Sequence, residues 1–150
     1  MTDFIPQDRR TPRIDAAATW IEELFAGEVR KGRKGTPDVP YTLHLYEVAA
    51  LVHEYGGDDD QIIAALLHDV VEDKGGADVL LRIEEEYGAR VAALVDACTD
   101  SWVRDPSAKE RWWPRKVRYI NHIADAALGA HLVCAADRVS NITSCIDDYA

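Results

Sequence analysis

The stretch Asp58-Asp59-Asp60-Gln61-Ile62-Ile63-Ala64-Ala65-Leu66-Leu67-His68-Asp69-Val70-Val71-Glu72-Asp73-Lys74-Gly75-Gly76 decides the fold. Ile62, Ile63, Leu66, Leu67, Val70 and Val71 recur three and four apart and leave little of the cylinder polar. The spacing predicts one helix from Gln61 to about Asp73, buried on most sides at the centre of the molecule. The acidic triplet ahead of it suits the positive end of a helix dipole, and Lys74-Gly75-Gly76 ends it.

Working outward, the same helical period runs through the rest of the chain. Thr11-Pro12 reads as an N-cap with proline at the first helical position. Behind it Ile14, Ala17, Ala18, Ile21, Leu24 and Phe25 form one apolar stripe. Gly32 and Gly35 break the chain into a basic loop from Arg30 to Pro40. A second helix covers about Leu43 to Tyr55 and stops at Gly56-Gly57. Amphipathic segments Val79–Tyr87 and Arg90–Cys98 follow, parted near Gly88. Residues 99–113 read as a loop carrying Trp102, Trp112, Trp113 and Pro106. Pro114 opens a helix to about Ala127, and a last helix runs from about His131 to Tyr149. No alternating β pattern competes, and no repeat, linker or low-complexity segment is present. The expectation is one all-α domain over residues 1–150.

Composition fits that picture. The chain has 150 residues, 47% of them apolar, with 17 Lys+Arg against 27 Asp+Glu and a formal net charge of −10. At this length roughly 70% of the unfolded surface can be buried, so no staple is needed. The acidity argues against a non-specific nucleic-acid binder, while a small anionic ligand remains compatible with a local basic cluster. Cys98, Cys134 and Cys145 are odd in number and widely spaced, which fits core fillers in a reducing compartment better than disulfides or a CxxC metal site. No stretch approaches 18 consecutive apolar residues, and the N-terminus lacks a secretory pattern. A cytoplasmic protein, bound neither to membrane nor to nucleic acid, is expected.

The anomaly lies inside the most apolar helix. His68-Asp69 and Glu72-Asp73 place four ionisable groups in a segment that should be dry, where unpaired charges are costly. Helical spacing stacks His68 over Glu72 and Asp69 over Asp73. His44, just inside the second helix, and Asp137, in an apolar part of the last helix, complete a candidate cation site. Two imidazoles and two carboxylates suit Mn²⁺ or another divalent ion holding a water, and no cysteine lies near enough in sequence to argue for a thiolate zinc.

The wording around these residues is specific. Arg33-Lys34-Gly35-Thr36-Pro37-Asp38-Val39-Pro40-Tyr41-Thr42-Leu43-His44 leads into Ala64-Ala65-Leu66-Leu67-His68-Asp69-Val70-Val71-Glu72-Asp73 and then Ala135-Ala136-Asp137-Arg138-Val139-Ser140-Asn141. Across roughly residues 15–149 this resembles the HD phosphohydrolase superfamily, in particular the hydrolase domain of RelA/SpoT homologues and the stand-alone small alarmone hydrolases. The resemblance implies an HD-type helical bundle in which His44, His68, Asp69 and Asp137 bind one Mn²⁺. It implies that Glu72 and Asp73 orient and deprotonate the attacking water, and that Arg33, Lys34, Asn141 and Ser144 contact the nucleotide. The implied reaction removes the 3′-pyrophosphate from guanosine tetra- or pentaphosphate. The alternatives are another phosphorylated nucleotide, such as the 2′-phosphate of NADPH, and a non-catalytic module that binds an alarmone or a toxin.

The chemistry stands on its own terms as well. A divalent ion acidifies its water and offsets charge on phosphorus oxygens, and a carboxylate one turn away can take the proton. Arg33 can stack on a base, whereas Lys34 is a point charge. Lys74 and Thr143 depart from the family's usual Thr and Arg beside the expected phosphate path. Trp112-Trp113-Pro114-Arg115-Lys116-Val117-Arg118-Tyr119 resembles a W-x-x-R-K-x-x-Y segment of small bacterial members. The tryptophan-bearing loop is expected to pack on the core, and Arg115, Lys116 and Arg118 to be solvated charges. His53, His122 and His131 read as structural or surface residues. Nine residues follow Asn141, which is read either as a minimal version of the domain or as a pocket wall completed by a partner subunit in a homo-oligomer.

Overall fold

Thr11 caps the first helix, its side chain accepting from the Ile14 N–H at 3.4 Å with Pro12 at the first position. That helix, α1, is Pro12–Leu24. In this computed structural model, which describes residues 3–30, 37–101, 103, 105 and 107–149, seven further helices follow. They are α2 (Tyr41–Glu54), α3 (Asp59–Leu67), α4 (Val70–Lys74), α5 (Ala77–Tyr87), α6 (Ala89–Cys98), α7 (Trp112–Ala124) and α8 (Ala130–Tyr149). The architecture is all-α. A single turn of 3-10 helix, Gln7–Arg9, precedes α1.

The central segment begins as the acidic triplet foretold. Asp58 accepts from the Gln61 N–H at 3.0 Å, and the Gln61 side chain accepts from the Asp58 N–H at 3.0 Å, a reciprocal capping box. Every side chain from Gln61 to Leu67 is buried. Helix α3 packs against α1, α2, α6 and α8, so the apolar wrap of its sequence is used on all sides. Gly88 adopts φ 97°, a left-handed conformation that lets α5 end and α6 begin without an intervening loop.

Three expectations are corrected. The helix over Gln61–Asp73 is two helices, because the chain turns at His68-Asp69. The His68 imidazole takes the Ala65 carbonyl at 2.7 Å, the acceptor an uninterrupted helix would present to the Asp69 N–H. The basic loop also closes as a minimal antiparallel ladder, β1 (Val29–Arg30) against β2 (Val39–Pro40), too short to show a period in sequence. Finally α7 starts at Trp112 rather than Pro114. Trp112 and Trp113 occupy its first turn and stand 60% and 70% exposed, with ring centroids 5.9 Å apart. They do not pack on the core; Trp102 lies outside the described residues.

Among the described residues no helix is long and apolar enough to cross a membrane.

Candidate functional site

The turn at His68-Asp69 aims both side chains away from the apolar packing and toward α2 and α8. Helix α2 supplies His44 from its first turn, and α8 supplies Asp137 from the face that covers α3. His44 Nε2 lies 3.2 Å from Asp137 Oδ1 and 3.7 Å from Asp69 Oδ2. His68 Nε2 lies 3.3 Å from each of the same two oxygens. Ligand atoms of His44, His68 and Asp69 fall within 4.8 Å of one another, and Asp137 reaches both imidazoles.

Hydrogen bonds on the far side of each ring fix which nitrogen carries the proton. His68 Nδ1 faces the Ala65 carbonyl, which only accepts, so Nδ1–H donates and Nε2 presents a lone pair. His44 Nδ1 meets Ser140 Oγ at 2.9 Å, and that hydroxyl donates onward to Glu47 Oε2 at 3.0 Å. Ser140 therefore accepts from His44, and His44 Nε2 is also bare. Two imidazole lone pairs face two carboxylate oxygens in a buried site, and His68 Nε2 has no hydrogen-bond partner. That arrangement is repulsive unless a cation sits between the four groups, so the donor set fits a divalent metal.

The electrostatics agree. Burial opposes a charge on His68, yet Asp69 and Asp137 outweigh it and raise the proton affinity of the ring. Burial likewise works against ionised Asp69 and Asp137. His68, His44 and the Tyr41 hydroxyl, donating at 2.7 Å, hold Asp69 below the usual carboxylate range. The adjacent His44 and His68 rings and the Arg138 guanidinium keep Asp137 far below it.

Glu72 and Asp73 sit at the rim rather than beside the imidazoles. The Asp73 N–H donates to the Asp69 carbonyl at 3.0 Å, so these two keep the one-turn relation read from sequence. The Asp73 side chain meets solvent on one side. Desolvation on the other, then Asp69 and Glu72, push its carboxyl up to about 6. Glu72 instead accepts from Lys109 at 3.1 Å, a side chain delivered by the segment before α7.

A cavity of about 210 Å³ opens beside His44, lined by Arg30, Leu43, Glu47, Ser144 and Asp147 among others. Asn141 donates to Asp137 at 2.7 Å and accepts from the Arg30 guanidinium, which also donates to Ser144 at 3.2 Å. Asn141 and Ser144 are thus brought to the site. Arg33 and Lys34 lie outside the described residues.

Sequence reasoning missed Tyr41, Glu47 and Ser140 as supports. Each stands three residues from a site residue on its helix (Tyr41 and Glu47 from His44, Ser140 from Asp137), and that one-turn spacing was the available signal. It also misplaced several cations. Lys74 pairs with Glu28 and lies 4.5 Å from the Phe25 ring, engaged with the end of α1. Arg115 and Lys116 both pair with Asp100, and Arg118 with Glu110, so none is simply solvated.

These features place the chain in a known class. The HD domain family matches residues 17–148, and the chain belongs to that family. It is 41% identical over 75 residues to a guanosine-3′,5′-bis(diphosphate) 3′-pyrophosphohydrolase of Aquifex aeolicus, covering 50% of this chain and 10% of that protein. The enzyme of the same name from Haemophilus influenzae is 36% identical over 73 residues, covering 49% and 10%. The chain thus spans about a tenth of the length of these curated relatives. A solved structure of a metazoan orthologue of SpoT, described as hydrolysing ppGpp with a role in starvation responses, superposes with a TM-score of 0.72. It is 26% identical and is matched over 89% of this chain and 70% of its own.

Proposed function

We propose that this protein is a Mn²⁺-dependent guanosine-3′,5′-bis(diphosphate) 3′-pyrophosphohydrolase, acting in the cytoplasm, with residues 1–150 forming one HD domain. One observation carries the reading: two bare imidazole nitrogens and two carboxylates converge in the core, with an acidic pair at the rim and a cavity beside them. The names of the similar proteins supply the substrate class.

In this reading His44, His68, Asp69 and Asp137 hold the metal. When bound, a divalent ion supplies charge that acidifies a water and offsets the oxygens on phosphorus. Glu72 and Asp73 orient that water and take its proton, their rim position giving them access to both water and substrate. Lys109 holds Glu72 in place, and Tyr41 holds Asp69. Arg30 and Ser144 line the cavity and Asn141 joins Arg30 to Asp137, so this side receives the nucleoside. Arg33 and Lys34 are proposed as further nucleotide contacts on the strength of the family resemblance. The Ala65 carbonyl and the Ser140 hydroxyl hold the two imidazoles by Nδ1, so that Nε2 of each ring faces the carboxylates.

The test is direct. Guanosine tetraphosphate incubated with the protein and Mn²⁺ yields GDP and pyrophosphate, and EDTA abolishes the reaction. Glu72→Gln combined with Asp73→Asn lowers turnover by about a hundredfold or more. Undiminished GDP formation by that double variant would sink the assigned roles. Turnover of a 2′-phosphorylated dinucleotide in place of guanosine tetraphosphate would overturn the substrate assignment.

A further inference from the structure

Outside the metal-facing groups, the described residues hold two thiols placed head to head. Cys98 is the last residue of α6 and Cys134 lies in the second turn of α8. Both are buried, and their sulfurs are 2.8 Å apart, one S–H donating to the other sulfur. That separation is within about 1 Å of a disulfide bond length. The third thiol, Cys145, is exposed near the end of α8.

We propose that Cys98 and Cys134 are a redox modification site, closing to an intramolecular disulfide in the presence of a hydroperoxide. The Cys134 thiolate attacks the outer peroxide oxygen; the O–O bond breaks, an alcohol or water leaves, and Cys134 becomes a sulfenic acid. The Cys98 thiol then attacks that sulfur, the S–O bond breaks, and water leaves. Two electrons pass from the two sulfurs to the peroxide, so no further reductant or oxidant enters. The Cys98 S–H, donated to Cys134, keeps the Cys134 thiol below its ordinary range and favours it as the attacking group.

The bond would tie the end of α6 to α8 and close the segment 99–133, which contains α7, into a covalent loop. It would also fix the α8 turn that precedes Asp137. Oxidation state is thereby coupled to the strand of helix that carries one wall of the site, independently of which nucleotide is hydrolysed.

The full chain, purified with its three thiols reduced, tests this when treated with hydrogen peroxide, quenched and titrated for thiols in denaturant. Free thiols fall from three to one and the intact mass drops by about 2 Da. Trypsin then releases peptide 91–104 linked to peptide 119–138, and dithiothreitol parts them. Thiol loss confined to Cys145 would overturn the proposal. So would oxygen added to Cys98 or Cys134 with no linked peptide. A Cys145→Ser variant leaves the pair intact, and it loses both remaining thiols while staying monomeric on a non-reducing gel; a covalent dimer of that variant also refutes the assignment. None of these readouts depends on nucleotide hydrolysis, so the proposed function and the redox site fail separately.

Discussion

The centre of the molecule and its α7 edge invert the usual distribution of polarity in opposite ways. Around α3 the core encloses His44, His68 and Asp137 among fully buried Ile62, Ile63, Leu66 and Leu67. At the edge, Trp112, Trp113 and Ile120 face outward on a helix whose only buried side chain is Tyr119. The buried polar groups are tolerable because each imidazole is anchored by a hydrogen bond on its outer nitrogen, leaving the inner one for a cation. The edge is held differently: Arg115 and Lys116 both grip Asp100 at the end of α6, and of the apolar side chains of α7 Tyr119 and Ile123 turn inward. Stability resides at the centre, and so does the chemistry, whereas the edge contributes Lys109 and little else to the site.

The comparison breaks most visibly through activity. Asp69→Asn removes a carboxylate that faces both imidazoles, and turnover on the proposed substrate falls by about a thousandfold or more, measured at saturating Mn²⁺. Stability gives the next largest contrast. Leu66→Ala costs about 2–5 kcal/mol in urea unfolding, whereas Ile120→Ala changes it by less than about 0.5 kcal/mol. Equal losses at the two sites would show that the edge is as integral as the core.

Metal linkage sharpens the same contrast. Adding Mn²⁺ to about a hundred times its dissociation constant stabilises the native chain by roughly 2.7 kcal/mol, reversed by EDTA and absent in His68→Ala. Trp113→Ser at the edge leaves that increment unchanged. A smaller effect is set by pH in the metal-free protein. The Asp73 carboxyl, pushed up to about 6, favours the folded state when protonated. Its contribution is fully present below its ordinary carboxylate pKa and is lost as pH rises through about 6. The thermal midpoint measured in EDTA therefore carries a downward component between pH 4 and 6 that Asp73→Asn removes. An identical pH slope in that variant would refute the assignment.

Much of this was legible in the chain. Helix α3 was readable because an all-round apolar wrap has one physical use, and the capping box was written in Asp58 and Gln61. The interruption at His68-Asp69 was not, because it depends on a side chain taking a backbone carbonyl, which spacing does not record. The exposure of Trp112 and Trp113 was hidden for a related reason: apolar residues at a helix start look the same whether or not a neighbour covers them. The pairing of Lys74 with Glu28 was beyond reach because it joins residues far apart in sequence.

By itself the sequence determined the all-α class, the central helix and the four residues that face one another in the core. The class and the central helix rest on local rules of period and capping, which act over a few residues, and the four residues on ligand chemistry together with the motif resemblance. Tertiary structure decided what lies between distant segments: which histidine nitrogen is bare, that Glu72 and Asp73 stand at the rim, and that Cys98 meets Cys134. Each is set by how α2, α3, α6 and α8 pack together, and packing is a property of the folded whole.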